Sequence, residues 1–414
     1  MDPYNIYLNK LVNKNRLQFS EYSNLRWLNS YMATEAQEIK DKLAENPLQK
    51  WLFKKTKPYH QQISEGCKLC GEGFWSCLFI TNKCNASCFY CPSPQLKDET
   101  PATQSLLFET AESYADYINH FGFRGVSFSG GEPLLVFERT LQYLKTIRAM
   151  CSPSLYIWMY TNGMLATEEK LKLLAAAGLN EIRFDIGATN YRLDKLRVAK
   201  GLIPNITIEI PAVPEKKELI KQMLPEIIAA GVTNINLHQL RLTIHNAPKL
   251  LQHNYTFIPA EQPVVLESEL AALEILGYAR QKDLKIGVNY CSFYFKNRHQ
   301  PAGFRRLLAE ALVTQNLVIT EKGYLREYDG RSIGYKSLVI SEKEKINSNS
   351  IRVLMPHKTC FINTETALPA RLLDSEVKTE VDKLLEKEPD VIPVDEFLFL
   401  VWQMEYIEKG LRDY

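Results

Sequence analysis

The chain has 414 residues, 45% of them hydrophobic and 24% charged, a composition that excludes wholesale disorder and fibrous repeats. At roughly 150 residues per domain this length predicts about two to three domains. Fifty basic against 48 acidic side chains leave a net charge of +2, so no global charge points to nucleic acid or to an anionic membrane.

Residues 1–65 are rich in Asn, Lys, Gln and Glu. Apolar positions such as Leu25, Trp27, Leu28 and Tyr31 predict one or two helices, so this stretch reads as a helical N-terminal extension. It holds no basic segment followed by an apolar one, and the chain has no apolar run of about 18 residues, so a cytoplasmic protein clear of the membrane is expected.

From Leu78 onward strand-like and helix-like segments alternate. Strands are predicted at Leu78–Ile80, Val126–Phe128, Leu155–Tyr160, Glu181–Ile186, Ile206–Ile210, Asn234–Leu237 and Lys285–Asn289. Helices are predicted at Val136–Met150, Glu168–Ala177, Lys216–Ala230 and Leu266–Arg280, two of them closed by Gly178 and Gly231. Repeated strand–helix units imply parallel strands joined by crossover helices, placed here in residues 66–300. The remainder, 301–414, reads as a small mixed α+β domain. It comprises a helix around Phe304–Leu312, a small antiparallel sheet from Leu317–Thr320, Tyr324–Glu327 and Ser337–Ile340, a polar loop at Ser341–Ser350 and an amphipathic helix at Val394–Leu411. Turns at Lys322-Gly323 and Asp329-Gly330 fit hairpins.

Of nine cysteines, six fall between Cys67 and Cys91. In a reducing compartment such clustering indicates metal or redox chemistry rather than disulfides. Cys84, Cys88 and Cys91 follow the first strand on one loop, so three thiolates can converge on a four-iron cluster with one iron left open to a small molecule. Zinc with a further ligand is the alternative on spacing alone. Cys67 and Cys70 form a Cys-x2-Cys half-site just before that strand. With Cys77 and Cys291, or with Cys360 as substitute, they make a second candidate site for iron, zinc or a cluster. Cys151 reads as a core residue.

Ser129-Gly130-Gly131-Glu132-Pro133 closes the second strand. Two glycines permit close backbone approach to a ligand, and Glu132 offers an acceptor to an amine. Thr161 and Asn162, in Tyr160-Thr161-Asn162-Gly163, can donate and accept at a ribose or carboxylate or simply form a turn. Arg183 and Asp185 share one face of the fourth strand, and Glu209 and His238 stand at carboxyl ends of later strands, where α/β barrels place functional groups. Lys296, Arg298, His299, Arg305 and Arg306 form the most basic local segment, read as a solvated face.

The Cys84-Cys88-Cys91 run followed by Gly130-Gly131-Glu132-Pro133 resembles the signature of radical S-adenosylmethionine (SAM) enzymes. From Tyr59 to Glu310 the chain also resembles a group related to pyruvate formate-lyase activating enzymes. The resemblance implies a partial (βα)6 TIM-like barrel, a 4Fe-4S cluster on Cys84, Cys88 and Cys91, and SAM held by Gly130, Gly131, Glu132, Pro133, Thr161, Asn162, Asp185 and Glu209. It also implies an external one-electron reductant such as flavodoxin or ferredoxin, and a 5′-deoxyadenosyl radical that abstracts a substrate hydrogen. A metal-stabilised barrel that binds or scaffolds without radical chemistry is the competing expectation. The ferredoxin-like insert of many activating enzymes, the cysteine-rich C-terminal extension of peptide maturases and a cobalamin-domain motif are all missing.

Overall fold

Apolar residues alternate with polar ones along the central strands, and the two sets part to opposite faces. Val126, Phe128, Ile157, Met159, Ile182 and Ile208 are buried against helices. Ser127, Trp158, Arg183, Thr207, Glu209 and Asn236 fall between such positions and face the interior of a curved sheet. The computed structural model describes residues 3–104, 106–310, 313, 317–328, 332–336, 339–340, 353–354, 360–363 and 404–414.

The N-terminal extension contains α1 (Pro3–Gln18) and α2 (Ser30–Ala44), and it also contributes strands β1 (Arg26–Trp27), β2 (Lys50–Leu52) and β3 (Lys57–His60). It is therefore not purely helical. Leu25 and Trp27 lie between the helices because β1 pairs with a strand more than 200 residues away, and Tyr31 is exposed. Helix α3 (Glu65–Glu72) then leads into β4 (Trp75–Thr81), β5 (Ala102–Thr103) and β6 (Leu106–Leu107).

The alternating section follows as α4 (Ala111–Phe121), β7 (Gly125–Gly130), α5 (Phe137–Met150), β8 (Tyr156–Thr161), α6 (Glu168–Ala176) and β9 (Glu181–Phe184). It continues with α7 (Asp194–Arg197), β10 (Asn205–Pro211), α8 (Lys217–Ala229), β11 (Asn234–His238) and α9 (Ala247–Leu250). Next come β12 (Thr256–Ile258), β13 (Val264–Val265), α10 (Leu266–Gln281) and β14 (Gly287–Cys291). Gly178 (φ +89°) and Gly231 (φ +90°) stand just past α6 and α8 in left-handed conformations, as their helix-stop role requires.

The main sheet runs β2-β3-β14-β11-β10-β9-β8-β7-β4-β5-β6. Its strands from β4 through β7, β8, β9, β10 and β11 to β14 pair in parallel. This is a partial barrel in which a seventh parallel strand, β14, extends the six. Antiparallel β3 lies against β14 and β5 against β4, so neither end closes on the other. The extension thus forms one edge of the sheet, and helix α3 packs on its inner face. A Cβ on Gly66 would fall 2.4 Å from Arg183 Nη2, and one on Gly125 would fall 2.9 Å from Leu69.

Helix α11 spans Phe293–Glu310, starting well before the predicted Phe304. After it, β15 (Leu317–Ile319), β16 (Leu325–Tyr328) and β17 (Ser332–Lys336) form antiparallel ladders, with Gly323 at φ +79° in the first turn. The segment predicted at Ser337–Ile340 is not their neighbour. Instead β18 (Val339–Ile340) pairs with β19 (Val353–Leu354), and β17 pairs with β20 (Cys360–Asn363). The turn at Asp329-Gly330, the loop at Ser341–Ser350 and residues 394–403 of the predicted C-terminal helix lie outside the described residues. Met404 and Glu405 are helical, whereas 406–411 are not.

Candidate active site

The loop after β4 carries Cys84, Cys88 and Cys91 as free, partly exposed thiols. The Cys84 N–H donates to Gln95 O (3.0 Å) and the Cys91 N–H to Cys88 O (3.2 Å), which folds the segment back on itself. Three side-chain ties fix it to the sheet. Tyr90 OH donates to Asp185 (2.9 Å), Gln95 Nε2 to Gly130 O (2.7 Å) and Asn162 Nδ2 to Asn85 Oδ1 (2.7 Å). Asn162 Nδ2 also lies 3.7 Å from Cys84 Sγ. Burial pushes the Cys88 thiol up to about 12, so without a positive partner it is protonated near neutrality. Three close thiols on one loop have the donor chemistry of an iron-sulfur site.

The glycines of the second motif perform a protein-facing task. The Gly131 N–H donates to Thr81 O (2.7 Å) and the Glu132 N–H to Lys83 O (2.8 Å). A Cβ on Gly131 would lie 2.0 Å from Lys83 O, and one on Gly130, at φ +105°, 2.2 Å from Thr81 O. Only glycine lets the end of β7 lie this close to the cysteine loop. Glu132 is fully buried and accepts from Leu134 N (2.9 Å), Thr161 Oγ1 (2.8 Å) and Asn162 N (2.7 Å). Its carboxylate therefore joins the ends of β7 and β8, and Pro133 begins the short helical turn that follows.

A cavity of about 590 Å³ occupies the barrel interior, bordered by Gly130, Asp185, Glu209 and His238. Arg183 bridges Glu181 (2.9 Å) and Glu209 (3.0 Å) while almost wholly buried. Burial opposes the charge on Glu209, but His238, Arg183 and Asn236 outweigh it and hold its carboxyl well below the usual carboxylate range. His238 is driven down to about 4 by burial and by Lys296. The neutral ring then donates from Nε2 to Glu209 and accepts at Nδ1 from Lys296 Nζ (2.6 Å). Asp185 is pushed up to about 6 by burial, against the Tyr90 and backbone donors it accepts from.

The second cysteine set divides. Cys67 and Cys70 lie on α3, one turn apart, and Cys291 closes β14; all three border the cavity. Buried Lys57 borders the same cavity; burial opposes its charge, and the neighbouring Cys291, Cys67 and Cys70 raise its pKa above the ordinary lysine value. Cys77, on β4, also borders the cavity, and burial pushes its thiol up to about 11. Among the described residues no three His, Cys, Asp or Glu side chains converge as a single metal ion requires. Cys151 is part-buried beside the core, and Cys360 lies on β20.

The basic segment is not a solvated face, because α11 turns it inward. Lys296 joins the cavity, Arg298 pairs with Glu408, His299 is buried, and Arg305 and Arg306 donate to Lys322 O (2.7 Å) and Glu321 O (2.6 Å). Lys57, Asn236 and Gln300 are cavity residues that sequence reasoning missed. Asn236 had a signal, since it alternates with Ile235 and Leu237 on a predicted strand; Lys57 and Gln300 had none.

An open parallel barrel, a three-thiol loop after its first strand and a glycine pair joining that loop to the second strand define a radical SAM enzyme, and residues 78–210 match the Radical SAM superfamily. Members of that superfamily use a 4Fe-4S cluster and SAM. The chain is 29% identical over 280 residues to a putative glycyl-radical enzyme activating enzyme of Methanocaldococcus jannaschii, covering 64% of this chain and 72% of the relative. A probable GTP 3′,8-cyclase of Methanosarcina mazei is 33% identical, covering 40% of this chain and 45% of the cyclase. Radical SAM chemistry replaces the scaffold expectation. Among the described residues no helix is long and apolar enough to cross a membrane.

Proposed function

We propose that Cys84, Cys88 and Cys91 hold the 4Fe-4S cluster and that the neighbouring ends of β7 through β10 hold SAM. When bound, this pair supplies a 5′-deoxyadenosyl radical that abstracts a substrate hydrogen. Gly130 and Asn162 stand beside the cysteine loop to receive the methionyl end, while Gly131, Glu132, Pro133 and Thr161 keep those strand ends in place. Asp185 and Glu209 serve the nucleoside from the inner face. An external one-electron donor such as flavodoxin or ferredoxin supplies the electron, and the half-exposed loop is where it approaches. A second metal ion or cluster belongs to the other cysteine set. The described residues after Pro301 cover the open edge, a reading supported by Gly410 N–H donating to Lys54 O (2.7 Å) and by the Lys54–Glu321 ion pair.

The substrate is a small polar molecule. The observation that carries this is the buried row Arg183, Glu209, His238 and Lys296 in the same cavity as Gly130. Such a row orients a polar group and excludes water from a radical. The test is anaerobic reconstitution, reduction with dithionite and incubation with deuterated polar candidates, reading deuterium in 5′-deoxyadenosine. Transfer only from a glycine-containing peptide would replace this reading with glycyl-radical activation, the activity named for the M. jannaschii relative.

A further inference from the structure

Cys67, Cys70 and Cys291 come from two elements far apart in sequence, yet all three border one cavity. Two of the sulfurs meet a nitrogen donor, Arg183 Nη1 reaching Cys67 at 3.6 Å and Gln300 Nε2 reaching Cys70 at 3.0 Å, and Lys57 borders the same cavity as Cys291. Donors directed at sulfur suit thiolates rather than neutral thiols. Charge points the same way. Arg183 is balanced by Glu181 and Glu209, but among the described residues no carboxylate pairs with Lys57. Lys57 is 1% exposed, and its ammonium lies 4.6 Å from the centre of the Phe295 ring. A buried cation needs a buried anion, and a ring face does not replace one.

We propose that Cys67, Cys70 and Cys291 hold a second iron-sulfur cluster and that Lys57 is its counter-ion. This deepens the second-cofactor reading and rests on it. Three thiolates make the site negative, which meets the lysine charge and gives the Arg183 and Gln300 donors a charged acceptor. A cluster fits better than a single ion. Zinc draws its thiolates to about 2.3 Å from one point, and among the described residues no trio converges that tightly. The Cys84, Cys88 and Cys91 trio forms no such single-ion site either. Because Gly130 and Asp185 border the same cavity, the second cluster flanks the substrate space.

The test uses the anaerobically reconstituted full chain, with iron, acid-labile sulfide, zinc and electron paramagnetic resonance (EPR) as readouts. The unsubstituted protein is expected to show two cluster signals, of which only one changes on adding SAM. Replacing Cys84, Cys88 and Cys91 together with Ala should halve iron and sulfide and remove the SAM-sensitive signal. Replacing Cys67, Cys70 and Cys291 together should remove the other half and leave the SAM-sensitive signal. Lys57→Met, which leaves every thiol in place, should selectively reduce the SAM-insensitive signal. The proposal is overturned if the first triple variant carries no iron and sulfide, if it carries zinc without sulfide, or if Lys57→Met leaves both signals at full intensity. Failure of the radical SAM reading looks different: the first triple variant would then keep its response to SAM.

Discussion

The two cysteine trios reach proximity by opposite routes. Cys84, Cys88 and Cys91 are close because they are close in sequence, on an irregular loop whose thiols remain partly exposed. Their orientation depends on ties to β7, β8 and the end of β9 through Gln95, Asn85 and Tyr90. Cys67, Cys70 and Cys291 are close because the fold places α3 and the end of β14 on one cavity. Their rigid elements need no such ties, and nitrogen donors reach the sulfurs of Cys67 and Cys70. Spacing can be read along a chain, whereas a site assembled by folding depends on residues that carry no local mark.

The largest expected effect separates the trios outright. Cys88→Ala should bring 5′-deoxyadenosine formation to background in an anaerobic assay with dithionite, since no other thiol on that loop can replace it. Arg183→Met tests the frame of the other trio. It removes a donor to Cys67 and leaves Glu181 and Glu209 buried without their cation, so urea unfolding should show a loss of about 3–5 kcal/mol. Stability unchanged by that substitution would show that the buried row does not hold the sheet's inner face.

His299 gives the next effect, through pH. It precedes Gln300, the donor to Cys70, and stacks on Phe295 (5.2 Å between ring centroids) with Nε2 unpartnered. Burial lowers it to about 4 from the ordinary 6.5. The folded state therefore keeps the ring neutral where the unfolded chain takes up a proton. Stability is lost as pH falls from 6.5 towards 4, by about 3 kcal/mol at most. His299→Phe should flatten that part of the acid limb in pH-dependent unfolding; an unaltered difference between pH 7 and 4 would exclude this ring as the cause.

Much of this architecture was legible because period-two strands and period-3.6 helices alternate from Leu78 to Asn289, with Gly178 and Gly231 marking two helix ends. The seventh parallel strand is also present in that pattern. What stayed hidden depended on partners distant in sequence. The short β1, β2 and β3 exist because they pair with β12, one another and β14, and the basic segment turns inward because α11 packs on α3. The site divides in the same way. Cys84, Cys88 and Cys91 follow from spacing, while Cys67, Cys70, Cys77 and Cys291 come to border one cavity only through the fold. Glu132 shows a subtler limit, since sequence marked the residue but not that its oxygens are taken by Leu134 N, Thr161 Oγ1 and Asn162 N.

That use of Glu132 sets the smallest effect and returns to the exposed trio. Thr161 Oγ1 donates to Glu132 at 2.8 Å and accepts from Gly163 N at 2.9 Å, so Val at this position keeps the shape and removes both bonds. A hydrogen bond to a charged group contributes about 1.5–3 kcal/mol, and a buried carboxylate left short of one donor is not rescued by water. Thr161→Val should therefore cost about 2 kcal/mol in urea unfolding. The same carboxylate still binds Asn162 N and Leu134 N, so the strand ends remain joined but less firmly. The cysteine loop hangs from Asn162 through Asn85, and its cluster should be lost faster to a chelator. Cluster loss at the unsubstituted rate, with stability reduced, would mean that the loop is oriented by Gln95 and Tyr90 alone.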